Sequence, residues 1–240
     1  MSVLVHESPL EAAQACARRV LEILEVAVAG SRDATFAVSG GSTPKLMFDA
    51  LAAAGFDWGH VHLFWVDERV VPPSDDQSNY KLAKASLIDA AKIPSRNVHR
   101  VYGELDPDAA AHRYRDDLRE YFGLEKDGLP AFDVIHCGMG PDAHTASLFP
   151  EDPLTEDRNG LAASVFAPKL PHWRVTLLPG VLLNARNTLM LVTGADKADT
   201  LHEVMNGEYD AFRRPVQMIH KEGQNVAWFL DKAAATRIAV

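Results

Sequence analysis

The sequence predicts an α/β fold: a doubly wound, mainly parallel sheet with helices on both faces. Three observations carry that expectation. Short β-type runs alternate with helical patterns almost throughout. The long helical pattern at 10–28 has one apolar face. Three stretches rich in glycine or charge directly follow strand candidates, where open parallel sheets bind their ligands. No repeat or low-complexity linker interrupts the alternation, so the chain is expected as one domain, 1–240.

The elements follow in order. A strand at 3–6 (VLVH) leads into the helix at 10–28, where Leu10, Ala13, Ala17, Val20, Leu21, Leu24 and Val28 recur at the i, i+3/i+4 spacing of a buried face. The strand at 34–39 (ATFAVS) ends in Ser39-Gly40-Gly41-Ser42-Thr43-Pro44. Gly-Gly turns cheaply, and Thr43 is placed to cap a helix over 44–54 that Pro44 opens. The same residues also suit a ligand, because a glycine pair lets it touch the backbone and a helix N-terminus offers unpaired N–H groups. A very apolar strand, 61–66, runs into Asp67-Glu68-Arg69. Helices are expected at 78–90 and 107–122, then a strand at 133–137 and a helix at 143–148. Further strands at 174–178, 188–193 and 226–230 alternate with helices at 179–186, 196–205 and 231–238. The polar segments 72–79 and 151–173 read as long loops, which are often functional.

Composition narrows the function. Apolar content of 47% and charged content of 24% are ordinary for a soluble globular chain. The net charge is −9 with no block of lysines and arginines, which excludes nucleic acid and anionic membranes as expected partners. An anion must therefore be captured locally, by a few placed cations and backbone N–H groups. Cys16 and Cys137 fall in a helix and a buried strand, as core thiols rather than a disulfide framework. Charges at Glu7, Glu11, Arg18 and Arg19 argue against a signal peptide, and no apolar run approaches the roughly 20 residues of a membrane span. A cytoplasmic location is expected.

The chemistry-bearing residues cluster at strand ends. Gly138-x-Gly140-x-x-Ala143 fits a loose dinucleotide fingerprint, but Asp142 would oppose a pyrophosphate, and no strand ends in an acid about 20 residues later. The loop better carries Asp142 and His144 toward a ligand, since a carboxylate beside a histidine suits proton transfer. A capping Asp and a core His is the plain alternative. Arg69 could stabilise a phosphate or an oxyanion, although a solvated charge run is the usual reading of Asp67-Glu68-Arg69. Arg174 and Lys197 each bring one cation to a strand boundary; with the Gly-Gly turn they could form a phosphate clamp. No Gly-x-Ser-x-Gly elbow, phosphate-binding Gly-Lys-Ser/Thr loop or His-Glu-x-x-His is present. His60 and His62 share a strand face without a third ligand near in sequence, so no metal is expected.

Several stretches together resemble the 6-phosphogluconolactonases of the pentose phosphate pathway: "SGGSTPKLMFDAL", "FWVDERVVPPSDDQSNY", "CGMGPDAHTASLFP", "RVTLLPGVLLNAR", "GADKADTL" and "VAWFLDKAAA". The resemblance runs in order from about 36 to 235. It implies a Rossmann-like fold of the sugar-phosphate isomerase type and hydrolysis of 6-phospho-D-glucono-1,5-lactone, without metal or nucleotide cofactor. By the same resemblance Gly40, Gly41, Ser42 and Thr43 would cradle the 6-phosphate with Arg174 and Lys197, and His144 would be the general base. Asp142 would support it and Arg69 would face the reacting end. Asp67 is the carboxylate that an isomerase or deaminase acting on glucosamine 6-phosphate would need; a non-catalytic sugar-phosphate sensor is the other alternative. The implied partner is a small sugar-phosphate lactone, and the protein a monomer or small homo-oligomer. The family usually has Gly where this chain has Ala143. Asp142 as an N-cap with Ala143 in the first turn of the 143–148 helix would give Ala143 a negative φ.

Overall fold

The structure, a computed structural model, describes residues 1–30, 32–166 and 172–238. The chain starts with β1 (Ser2–His6), α1 (Pro9–Ala29), β2 (Ala34–Val38), α2 (Ser42–Ala53), β3 (Val61–Trp65) and β4 (Asp67–Arg69). Then come α3 (Asn79–Ala83), β5 (Val98–His99), α4 (Pro107–Phe122), β6 (Val134–Cys137), β7 (Ala162–Phe166) and β8 (Trp173–Leu177). It finishes with α5 (Pro179–Leu183), β9 (Thr188–Val192), α6 (Ala198–Asn206), α7 (Val216–Glu222) and β10 (Val226–Asp231).

Seven parallel strands make the main sheet, in the order β1-β10-β9-β6-β2-β3-β5. Its central strands are buried along their whole length, β2, β6 and β9 included, because helices cover both faces. Helix α1 begins cleanly, with the Ser8 side chain accepting from the Glu11 N–H and Pro9 at the first position. Its apolar face, with Ala13, Ala17, Val20 and Leu24, lies in the core beside Phe36 and Trp228. The strand order reverses between β2 and β6: β3 and β5 continue to one side, β9 and β10 to the other. That reversal opens a crevice at the strand ends. The Gly-Gly turn follows β2 and the Gly138–Gly140 loop follows β6, so the topology brings both to one place.

Several expectations need correction. The strand expected at 174–178 is β8, but it lies outside the main sheet, between β4 and β7 in a three-stranded antiparallel sheet. The Asp67-Glu68-Arg69 triplet is itself a strand, paired so that Asp67 faces Thr176 and Arg69 faces Arg174. Part of the long loop at 151–173 is β7, while 167–171 lie outside the described residues. Strand β5 and helix α7 are elements the periodicity did not indicate. The segment at 231–238 forms only a short 3-10 turn at Ala234–Arg237. No helix forms at 143–148. Ala143 and Ala146 hold φ of 65° and 53°; the backbone N–H groups of Ala143 and Leu148 make tight turns instead, and Ser147 bonds to Thr176 and Asp67. Ala143 is therefore left-handed, not in a helical first turn.

Two histidine contacts lie outside the cleft, one half-buried and one at the surface. His62 Nδ1 lies 2.8 Å from His99 Nε2, and His60 Nδ1 lies 2.9 Å from Asp33. His136 on β6 is fully buried, with neither ring nitrogen partnered among the described residues. Burial pushes its pKa down to about 3, so the ring is neutral in the folded protein. Among the described residues no helix is long and apolar enough to cross a membrane.

Candidate active site

The turn after β2 is built on glycine for two reasons. Gly41 takes φ of 126°, which L side chains avoid, and α2 starts immediately after it at Ser42. The helix thus begins two residues earlier than expected. Thr43 is not its cap: Thr43 Oγ1 pairs with Thr193 Oγ1 at 2.8 Å, and no side chain caps the helix. The first N–H groups of α2 are left without a side-chain acceptor, the arrangement that suits an anion.

The second wall is the β4 strand and the segment that folds over it. Glu68 is buried, and its carboxylate accepts from the backbone N–H groups of Arg69, Asn79 and Tyr80 and from the Ser78 hydroxyl. Burial pushes its pKa up to about 7 against the pull of these four donors. All four contacts use the carboxylate as acceptor, so the ionised form is the one that staples the loop to β4. Asp67, also buried, accepts from Ser147 Oγ at 2.7 Å and lies 3.9 Å from an Arg174 guanidinium nitrogen. Arg69 and Arg174 stand opposite each other in the strand register, and burial together with the Arg69 charge lowers the Arg174 pKa. Like charges placed directly across a sheet repel. Each guanidinium also has a buried Nε without a partner among the described residues. Two facing cations at the edge of one cleft are an arrangement that suits an anion.

The third wall is the loop after β6. His144 Nδ1 lies 2.5 Å from Asp142 Oδ1, and the His144 N–H also reaches that oxygen. Partial burial works to raise the Asp142 pKa, but the hydrogen bond and charge of His144 outweigh it and bring it down to about 2. With Nδ1 donating to a carboxylate, the neutral ring keeps its lone pair on Nε2, as a general base requires. The ring lies across Gly140, where an added Cβ would fall 2.1 Å from it. A hydrogen bond from Thr145 Oγ1 to the Gly138 carbonyl closes the loop on itself, and one from Val216 N to the Ala143 carbonyl fixes it from outside.

These walls enclose an open cleft of about 260 Å³, lined by Ser39, Gly40, Asp67, Arg69, Asn79, the 138–141 loop, His144, Arg174 and Lys197, among others. Of the anticipated site residues, Gly40, Asp67, Arg69, His144, Arg174 and Lys197 converge there. Gly41, which precedes α2, and Ser42 and Thr43 in its first turn adjoin Gly40 but do not line the cleft, and Asp142 is bonded to His144. Lys197 is largely buried, with its ammonium 2.7 Å from Asp196.

Known proteins match this chain in sequence and in fold. The family of glucosamine-6-phosphate isomerases/6-phosphogluconolactonase matches residues 7–228. The chain belongs to that family. A 6-phosphogluconolactonase of Synechocystis sp. is 35% identical over 213 residues, covering 88% of each chain. The human 6-phosphogluconolactonase is 35% identical over 246 residues, covering 99% of this chain and 94% of its own. The solved 6-phosphogluconolactonase of Trypanosoma brucei superposes with a TM-score of 0.89 at 28% identity, over 99% of this chain and 98% of that one. Asn79 lines the cleft, and Glu68 and Ser147 hold its walls; sequence reasoning singled out none of the three for the site. Ser78-Asn79 after a polar loop reads only as a helix start, and nothing local shows that Glu68 accepts from that start.

Proposed function

We propose that this protein hydrolyses 6-phospho-D-glucono-1,5-lactone to 6-phosphogluconate, with the whole chain acting as one unit. The observation that carries the reading is the His144–Asp142 pair on one wall of a cleft whose facing wall is the Arg69–Arg174 pair. His144 Nε2 takes a proton from water as its oxygen bonds to the lactone C1. Asp142 stabilises the imidazolium. The negative charge that collects on the carbonyl oxygen meets Arg69 and backbone N–H groups. As C1–O5 breaks, O5 takes the proton back from His144 and the carboxylic acid formed ionises in water. Arg174, Lys197 and the first turn of α2 hold the 6-phosphate, which fixes C1 beside the base. No covalent nucleophile is required, and no metal or nucleotide enters the scheme.

Asp67 bears on the isomerase or deaminase alternative, because that chemistry needs a free carboxylate to move a proton between C1 and C2. Here Asp67 is buried and engaged by Ser147 and Arg174, which supports a structural and electrostatic role instead. The test is release of 6-phosphogluconate from freshly made lactone, followed through an NADP-dependent dehydrogenase, beside ammonia release from glucosamine 6-phosphate. Lactone turnover without ammonia is expected; ammonia release without lactone turnover would overturn the reading.

A further inference from the structure

We propose that Asn79 is the positioning residue for Arg69, and that the missing side chain at Gly40 exists to admit it. The proposal rests on the reading that Arg69 stabilises the oxyanion. Asn79 is buried at the first position of α3 and touches three parts of the site at once. Its Oδ1 accepts from Arg69 Nη1 at 2.5 Å. Its Nδ2 donates to the Asp67 carbonyl at 2.8 Å, which settles which way round the amide sits. Its backbone N–H donates to the Glu68 carboxylate at 2.7 Å.

A fourth neighbour is Gly40. A Cβ at Gly40 would lie 1.8 Å from Asn79 Oδ1 and 2.3 Å from its Cγ, so the amide occupies the space that any other residue would fill. The Gly-Gly turn and the β4 strand are thereby locked together through one side chain.

The chemistry of the tether matters as much as its place. Arg69 faces Arg174 across the strand pair, so repulsion favours swinging its guanidinium out to solvent. Asn79 and the Gln77 carbonyl both hold Nη1 and leave the Nε edge without a partner. A neutral amide does this without consuming the positive charge. A carboxylate in the same place would hold Arg69 as well but neutralise it before the oxyanion forms.

A double-mutant cycle on kcat tests this. Asn79→Ala should lower kcat about 10- to 100-fold, the scale of a catalytic group displaced by about 1 Å, with KM within about three-fold of wild type. On an Arg69→Ala background the same change should cost less than about three-fold, because the group it positions is gone. Gly40→Ala should reproduce the kcat loss, and should add little once Asn79 is Ala. Asn79→Ser, too short to reach Arg69, runs through the same cycle and serves if the Ala variant fails to fold. An equal loss with and without Arg69, or a loss carried by KM, overturns the proposal. If Arg69→Ala alone leaves kcat unchanged, the oxyanion reading has failed and takes the proposal with it. If Arg69→Ala lowers kcat but Asn79 is additive, only the positioning role has failed.

Discussion

The turn after β2 and the loop after β6 leave neighbouring parallel strands and face one cleft, yet they use their backbones in opposite ways. After β2 the chain spends one glycine of positive φ and goes straight into a twelve-residue helix with no side-chain cap. After β6 it refuses a helix: two alanines sit left-handed within four residues, tight turns take up the Ala143 and Leu148 N–H groups, and Thr176 and Asp67 meet Ser147. The first arrangement offers a regular array of N–H donors, which suits holding a charged group whose position does not change. The second places one imidazole at one angle, which no regular element would do. On the proposed function, binding would rest on periodic structure and proton transfer on irregular structure.

The sharpest way to break this comparison is through His144. His144→Ala should lower kcat by about 10²–10⁴-fold and leave KM nearly unchanged. Steady-state rates within a few-fold of wild type would remove the loop after β6 from the chemistry.

The opposite split is expected on the other side. Arg174→Ala or Lys197→Ala should mainly raise KM for the phosphorylated lactone, by about 10- to 150-fold for a lost charge-assisted contact of roughly 1.5–3 kcal/mol. Slow turnover of unphosphorylated gluconolactone should be untouched. Equal losses on both substrates would take these residues out of the phosphate clamp and erase the division of labour.

The strands beneath the two turns differ as well, since β6 carries the buried, neutral His136. Its folded pKa lies below the unfolded value near 6.5, so the unfolded chain binds the extra proton between the two. The stability it allows is complete above pH ~6.5 and is lost as pH falls toward 3. Between pH 7.5 and 4.5 wild type should therefore lose more stability than His136→Leu, by at most about 3 kcal/mol. Thermal melts at both pH values check this, and parallel losses would contradict it.

The smallest effect sharpens the comparison most directly. Ala143→Gly should relieve left-handed strain of about 1 kcal/mol and raise Tm by about 2–4 °C. A fall in Tm would mean that the loop is not strained at Ala143.

How much of this was legible in the sequence follows the same division. The parallel sheet, the glycine turn and the converging cations were readable because each depends on local pattern: apolar runs, Gly-Gly before Ser-Thr-Pro, a cation at a strand boundary. The loop after β6 was misread as a helix because its conformation is imposed from outside, by Thr176 on β8 and the start of α7. Likewise 174–178 reads as a strand, yet no local signal says that it pairs antiparallel with β4. Asn79 escaped notice because its amide occupies an empty space at Gly40, thirty-nine positions away. Propensity records what a residue does, and this depends on what another residue lacks.

The facing arginines have a practical consequence at the bench. A cleft lined by two facing guanidinium groups, only one of them beside a carboxylate, makes common buffer anions into ligands. Inorganic phosphate or sulfate should raise the melting temperature by mass action and compete with substrate when the lactone is dilute. Purification in phosphate would then yield a preparation that looks more stable and less active than the same protein in a zwitterionic buffer. Dialysis would restore its activity.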